Sequence, residues 1–262
     1  MNRRTKLGLA LVLAVLSFRA AALSQGFYQR GTIYLDWYGT LAADGSDFNQ
    51  VSTRVRWDLI SRPGTGWTLS LDARDRVGLL QPLQNQAIIY NGRLTYDSSH
   101  SRVYFSLGQM NLYDSAGIGE LLGAVAGWKI TRDIMAGGYG GLESDPYVNE
   151  IRSNYLKFGA FVRWLGTKGK SVALSVNQLQ YAGQTERRYA YANVFLPIEK
   201  LLVLYGDTEY ELGAHTSPGD RLSRAFANAR LDLGRWVDVT GTYSSGKGLD
   251  YHQFLIQASQ DP

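Results

Sequence analysis

Residues Val51–Leu71 read VSTRVRWDLISRPGTGWTLSL, and this stretch decides the fold. Before the turn, apolar residues alternate with polar and charged ones: Val51, Val55, Trp57 and Leu59 against Ser52, Arg54, Arg56 and Asp58. After the Pro/Gly turn at 61–66 the alternation resumes: Trp67, Leu69, Leu71 and Ala73 against Thr68, Ser70, Asp72 and Arg74. Period-two alternation on both sides of a turn predicts a β-hairpin with one apolar face and one charged face.

Such a hairpin is compatible with two environments. In a soluble sandwich, the apolar face packs on a second sheet. In a transmembrane barrel, the apolar face contacts lipid and the charged face lines the lumen. The barrel interpretation expects Val55, Leu69, Leu94 and Phe158 to face hydrocarbon rather than a second layer of protein.

The N-terminus has the pattern of a secretory signal peptide. Three basic residues within the first six precede an apolar run of about twelve residues, Leu7–Phe18, and small residues follow at Ala20–Ala22. The apolar run is too short to span a membrane as a helix. We therefore predict a cleaved signal peptide at residues 1–24 and one β-barrel domain at residues 25–262.

Charge and cysteine content argue against other classes of protein. The predicted leader contains four of the 27 basic residues, and the remaining 23 equal the 23 acidic residues. A neutral mature chain gives no indication of nucleic-acid binding. The chain contains no cysteine, so it carries no disulfide framework. The 29 glycines and 17 tyrosines are typical of a β-rich protein with many turns.

Period-two segments recur along the whole chain after the leader. They predict about 14 strands (12–16), the last of them at Asp250–Ala258. Every connection between consecutive strands is too short for a crossover helix, so neighbouring strands should be antiparallel. The predicted fold is an all-β, antiparallel, up-and-down transmembrane β-barrel.

Two regularities favour a membrane barrel over a sandwich. Several odd-numbered connections are longer than the even-numbered ones, as expected for outer loops and periplasmic turns. The tryptophans fall near strand ends, five of them at the end predicted to be periplasmic and one, Trp37, at the other. They form a predicted membrane-interface girdle: Trp37, Trp57, Trp67, Trp128, Trp164 and Trp236.

With this strand pattern and the leader, the sequence from Phe27 to about Ala258 resembles bacterial outer-membrane β-barrels of the porin-like kind. The resemblance implies location in the outer membrane of a Gram-negative envelope. It also implies outer-membrane lipid and the outer-membrane insertion machinery as partners. The chain departs from these barrels at its end, which reads Gln260-Asp261-Pro262 where many of them carry an aromatic residue.

Charged residues on the polar face of the first four strands are the candidate lumen and permeant-contacting residues. They are Arg30, Asp36, Arg54, Arg56, Asp58, Asp72, Arg74, Arg76, Arg93 and Asp97. Later strands add Lys157, Arg163, Asp207, Glu209, Arg224, Arg230 and Asp232. Such a wall would select permeants by charge. Alternatively, it is a ladder of Arg–Asp pairs that rigidifies or plugs the interior.

No stretch carries a recognisable catalytic, metal or cofactor motif. The acidic loop of Glu143, Asp145, Asn149 and Glu150 lacks the spacing of a calcium loop. The glycine-rich stretch 137–141 has no following Lys-Ser or Lys-Thr and no helix, so it does not match a phosphate-binding loop. The three histidines, at 100, 215 and 252, are scattered. We predict no enzyme activity, no metal and no cofactor.

The sequence therefore predicts a porin-like passive channel for small polar or charged solutes, and it is compatible with a homo-oligomer. A non-conducting scaffold or adhesin barrel, acting through Glu143–Asn154, is an alternative. A barrel hydrolase and a soluble periplasmic β-sandwich are further alternatives. In the channel, an Arg54→Glu, Arg74→Glu double variant should change ion preference.

Overall fold

A computed structural model describes residues 27–40, 48–62, 65–78, 86–112, 118–144, 151–199, 201–213, 221–234 and 237–246. The strands are β1 (Tyr28–Thr40), β2 (Phe48–Ile60), β3 (Trp67–Gly78), β4 (Gln86–Asp97), β5 (Val103–Leu112), β6 (Ile118–Lys129), β7 (Ile134–Ser144), β8 (Ile151–Leu165), β9 (Ser171–Tyr181), β10 (Gln184–Ile198), β11 (Leu202–Glu211), β12 (Leu222–Asp232) and β13 (Asp238–Gly246). One turn of 3₁₀ helix lies at Thr167–Gly169.

The 13 strands follow one another in chain order in one antiparallel sheet, β1 to β13. This order confirms the predicted all-β, up-and-down antiparallel architecture. Within the described ranges no ladder joins β1 to β13, so the predicted closure into a barrel is not observed. The predicted leader and the predicted strand at 250–258 lie outside the described residues. No helix in the described part of the chain is long and apolar enough to cross a membrane.

The chain divides into two compact units, which are described separately. The N-terminal unit comprises residues 1–110, with β1 to β4 and most of β5, and the C-terminal unit comprises residues 111–262.

The hairpin β2–β3 of the N-terminal unit forms as its alternation predicts. Leu59 lies opposite Leu69, and Asp58 lies opposite Ser70. The turn is closed by the Ser61 backbone N–H, which donates to the Trp67 carbonyl at 2.9 Å. Direct cross-strand partners share a face, so apolar side chains meet on one face and polar side chains on the other.

In the N-terminal unit the alternation changes face at Tyr90 of β4. Period-two alternation alone would put Ile88 and Tyr90 on the apolar face with Leu94 and Tyr96. In the structure Asp72 pairs with Asn91, but the next residue, Ala73, pairs with Ile89, so Tyr90 of β4 has no partner on β3. The extra residue of this bulge is Tyr90, and its ring lies 4.9 Å from the Arg54 guanidinium carbon. A bulge inserts one residue into one strand and so reverses the facing of side chains beyond it.

Polarity in the C-terminal unit is the reverse of that in a water-soluble sheet. On β9, Leu174 and Val176 are 55% and 53% exposed, whereas Ser175 and Asn177 are 6% and 4% exposed. The same alternation places Phe158 on the exposed face of β8 and Lys157 on its buried face. The buried face therefore combines polar and charged groups with apolar ones such as Phe161 and Leu179, and large apolar side chains lie on the exposed face.

Glycines allow large side chains to lie flat on the buried face. Gly159 lies between Tyr139 on β7 and Asn177 on β9. The Tyr139 hydroxyl donates to the Asn177 side-chain carbonyl across this gap. A Cβ on Gly159 would lie 2.7 Å from the Tyr139 ring carbon Cζ. Gly137, from the glycine-rich stretch, likewise faces Phe161, its cross-strand partner.

The connections differ less in length than the sequence predicts. The predicted loop Glu143–Asn154 shrinks to 145–150, because β7 runs to Ser144 and β8 begins at Ile151. The connection between β9 and β10 is a two-residue turn at Ala182–Gly183, as short as any even-numbered connection. Cross-strand hydrogen bonds thus extend the strands into segments whose composition resembles a loop.

Candidate functional site: the charged face

All ten candidate lumen residues lie on one face of the N-terminal unit, here called the charged face. The cross-strand pairing of β1 to β5 places them there. One row across the face is Arg30, Asp58, Ser70 and Arg93, each directly opposite the next. The period-two pattern is sufficient to predict which residues share this face.

Asp72 is the centre of the strongest ion pairs on the charged face. Its two carboxylate oxygens accept hydrogen bonds from Nε and Nη2 of Arg54, both at 2.7 Å. Arg56 adds a third contact to Asp72 at 3.1 Å. A bidentate Arg–carboxylate pair is stronger and geometrically more defined than a single contact. At the next row, Arg30 donates to Asp58 at 2.9 Å.

Tyrosines hold two of these arginines from their other side. Arg54 lies over the Tyr90 ring and Arg56 over the Tyr34 ring, at 4.9 and 5.8 Å from the ring centroids. Cation–π contacts of this kind favour a flat orientation of the guanidinium. Arg54 is therefore fixed by Asp72 and Tyr90 together.

Three other arginines of the charged face are neutralised much less: Arg74 and Arg76 near the C-terminal end of β3, and Arg93 of β4, opposite Ser70. Arg74 lies directly opposite Arg54 and donates to the Ser52 hydroxyl at 2.9 Å. Its nearest carboxylate, Asp36, is 3.9 Å away. The Nε atoms of Arg76 and Arg93 are buried and have no hydrogen-bond partner within the described part of the chain.

The buried face of the C-terminal unit contains a second set of charges, centred on Arg187. Arg187 contacts Glu209 at 2.6 Å and Glu211 at 2.5 Å. It also donates to the Ser223 hydroxyl at 3.0 Å and lies 4.0 Å from the Tyr189 ring centroid. All four partners are buried, so this arginine is fully engaged by other side chains.

Two further ion pairs lie on the same buried face. Lys157, only 4% exposed, contacts Glu143 at 2.6 Å. Arg224 contacts Asp207 at 2.9 Å. The sequence assigns Glu143 to an acidic loop. The structure corrects this, because Glu143 is part of β7 and its carboxylate is taken by Lys157.

Sequence reasoning overlooked Arg187 and Glu211, although a signal was present. Arg187, Tyr189 and Tyr191 alternate with Arg188, Ala190 and Ala192. Period two puts the first three on one face. The second arginine of the Arg187-Arg188 pair masks this alternation, because Arg188 lies on the exposed face and donates to Gln178 at 2.9 Å.

The described tryptophans occupy different environments. Trp37, Trp67 and Trp128 are 71%, 42% and 52% exposed, and Trp164 is half-buried. Trp57 is 9% exposed and lies opposite Gly31, with its Nε1 donating to Gln29 at 3.3 Å. Trp236 lies outside the described residues. Trp57 and Trp67 share one end of the β2–β3 hairpin, and Trp128 and Trp164 lie near the C-terminal ends of β6 and β8.

Among the described residues, the remaining candidates do not assemble into a site. Within the described ranges no group of three or more His, Asp or Glu side chains could hold a metal ion. His100 lies in the β4–β5 turn beside Ser99, at 3.2 Å. His215, His252, Asp145, Asn149 and Glu150 lie outside those ranges. The glycine-rich stretch 137–141 lies inside β7.

No protein-family model matches this chain, and no curated protein matches it.

Proposed function

We propose that the chain is an outer-membrane β-barrel that acts as a porin-like passive channel for small polar or charged solutes. One observation carries the proposal: the reversed polarity of the sheet. Leu69, Leu94 and Phe158 are 39%, 39% and 41% exposed. Charged groups such as Lys157 and Glu209 are buried on the opposite face. Val55 is the exception among the expected lipid-facing residues, at 7% exposed.

Lipid accounts for this polarity better than water does. An apolar side chain gains about 1.5–3 kcal/mol when it moves completely from water into an apolar environment. Transmembrane strands alternate apolar side chains toward lipid with polar ones toward the interior. A soluble sandwich would instead need a second layer over Leu174 and Val176, which are more than half exposed.

The charged face of the N-terminal unit supports a channel. Arg30 and Arg56 have side chains that are 66% and 50% exposed. Exposed charges on the wall of a pore contact the permeating solute and its water. On this proposal small polar solutes pass by diffusion, without covalent chemistry.

A second candidate, a non-conducting barrel, is favoured by the C-terminal unit. There Arg187, Lys157 and Arg224 each have a carboxylate within 2.9 Å. Glu209 and Asp207 are buried, and the Glu143 side chain is 18% exposed. Paired charges that fill an interior would block solutes and leave a scaffold role.

Membrane fractionation combined with gel mobility tests the location. We expect the protein in the outer-membrane fraction, with unheated samples migrating differently from boiled ones because a barrel stays folded in detergent. A protein that remains in the soluble periplasmic fraction would contradict the proposal.

Planar-bilayer recording then separates the two candidates. The channel predicts discrete current steps that scale with salt concentration. Membrane insertion without any current would favour the non-conducting barrel.

A further inference from the structure

Positive charge exceeds negative charge on the charged face of the N-terminal unit. The register places six arginines and four aspartates there. The arginines are Arg30, Arg54, Arg56, Arg74, Arg76 and Arg93, and the aspartates are Asp36, Asp58, Asp72 and Asp97. An arginine attracts an anion only where no neighbouring carboxylate cancels its charge. The ion pairs on the face therefore decide which arginines could attract an anion.

Two of the four carboxylates on the face, Asp58 and Asp72, form short ion pairs with neighbouring arginines. Asp72 takes both Arg54 and Arg56, and Asp58 takes Arg30. Arg74 has only the long 3.9 Å contact to Asp36. Within the described ranges, no carboxylate is within ion-pair distance of Arg76 or Arg93. Asp72 cancels only one of the two charges of Arg54 and Arg56, and Asp36 lies across Ser52 from Arg76. The arginines with the least carboxylate compensation are Arg74, Arg76 and Arg93.

Arg74 and Arg76 are two residues apart on β3 and project from the same face. Ser52 lies directly opposite Arg76 and accepts from Arg74. Two neighbouring guanidinium groups repel each other unless an anion lies between them. Guanidinium donors match the oxygens of carboxylate, phosphate and sulfate. The Ser52 hydroxyl accepts from Arg74 and donates to Asp36 at 3.3 Å, so both of its roles are taken by the protein.

The C-terminal unit provides an internal comparison. Arg187 has two carboxylates, Glu209 and Glu211, and Arg230 has Asp238 at 2.8 Å. The C-terminal unit also has an arginine, Arg221, whose buried Nε has no hydrogen-bond partner within the described residues. Uncompensated arginine is therefore not confined to the N-terminal unit.

We propose that Arg74 and Arg76 form a binding position for small anions, and that Arg93 provides a second uncancelled positive charge on the same face. The preferred solute class is a small oxyanion such as phosphate, sulfate or a carboxylate. This inference rests on the proposed channel function and names its solute class. Rings of arginine and lysine are the groups that select anions in pores.

Reversal potentials in a potassium chloride gradient across a planar bilayer test the preference. We expect the unmodified protein to favour chloride over potassium. In Arg76→Gln, and more so in Arg76→Gln with Arg93→Gln, the preference should fall by about threefold or more, because uncancelled charge is removed. Arg76→Lys should retain it. Arg76 is a cleaner target than Arg54, because removing Arg54 leaves the Asp72 carboxylate poorly compensated.

Arg102→Gln is the matched control, since it removes the same charge from the exposed β4–β5 turn. It should leave the reversal potential unchanged. An equal shift in Arg102→Gln and Arg76→Gln would contradict a local site and indicate a net-charge effect.

Calorimetric titration of the detergent-solubilised protein with inorganic phosphate, at low ionic strength, provides a readout independent of current. We expect binding that Arg76→Gln weakens and Arg102→Gln does not. Current without chloride preference, together with no effect of Arg76→Gln on phosphate, would overturn the inference and leave the channel intact. Absence of current would overturn the channel, and the phosphate titration would then decide the anion position alone.

Discussion

At the scale of single residues, the most constrained charge is Arg187. Its side chain is 11% exposed, and its partners Glu209 and Glu211 are 10% and 9% exposed. Removing one member of a buried ion pair leaves an uncompensated charge, which costs far more than the pair itself contributes. Arg187 therefore holds together two carboxylates that would otherwise repel each other.

Replacing Arg187 by Met should destabilise the protein strongly. We expect a loss of about 3–5 kcal/mol in the free energy of unfolding, because two buried carboxylates lose their partner. Arg230→Met is the control. Its pair with Asp238 is more than half exposed, so the loss should be about 0–1 kcal/mol. Equilibrium urea unfolding in lipid vesicles, followed by tryptophan fluorescence, measures both; equal losses would contradict the burial argument.

Gly159 offers a second test at this scale. A Cβ there would lie 2.4 Å from the Val176 backbone carbonyl oxygen and 2.7 Å from the Tyr139 ring carbon Cζ, so Gly159→Ala should cost about 1–3 kcal/mol through overpacking. The control Gly241→Ala, on β13, would meet nothing within 4 Å and should be neutral or slightly stabilising. A neutral Gly159→Ala in the same unfolding assay would contradict the overpacking argument, because both the Val176 backbone and the Tyr139 ring would have to move.

At the scale of elements, alternation defines the strands, and turn chemistry joins them. The β9–β10 turn has positive φ at both residues, 48° at Ala182 and 83° at Gly183. Two-residue hairpin turns of type I′ require this sign at both positions. Glycine adopts it freely, whereas alanine is strained there.

Ala182→Asn should therefore stabilise the β9–β10 hairpin. Asparagine tolerates the left-handed region better than alanine, and we expect a gain of roughly 0.5–1 kcal/mol. Gly183→Ala should act in the opposite direction, by about 1 kcal/mol. The shift in urea midpoint measures both. A loss of stability in Ala182→Asn would contradict the assigned turn.

At the scale of the whole molecule, the arrangement of polarity decides the solvent. Val176 is 53% exposed in the middle of β9, and Leu165 is 46% exposed at the end of β8. In water both positions are ordinary surface sites, where substitutions change stability by about 0.5 kcal/mol or less. In a strand that spans a bilayer, Val176 would lie near the bilayer midplane and Leu165 near the interface.

Val176→Arg and Leu165→Arg separate these environments. For a transmembrane strand we expect Val176→Arg to cost about 2–4 kcal/mol and Leu165→Arg about 0–1 kcal/mol, because the cost of arginine rises toward the bilayer midplane. Unfolding in lipid vesicles provides the measurement. Two small and equal losses would favour a sheet surrounded by water and would contradict the proposed location.

The sequence by itself determined the strands and their two faces. Alternation such as that of Val51–Leu71 is local, since successive side chains of a strand point to opposite sides wherever the strand lies. All ten candidate lumen residues could be assigned to one face in this way. The antiparallel order followed from connections that are too short for a crossover.

Tertiary structure alone decided how the charges are shared. Asp72 bonds Arg54 diagonally, whereas its direct partner is Arg56, and the β4 bulge brings Tyr90 to the Arg54 guanidinium. Trp57 becomes buried because it lies opposite Gly31. Register, bulges and diagonal contacts join residues distant in the chain, so no local pattern encodes them, and they leave Arg76 without the carboxylate that Arg54 obtains.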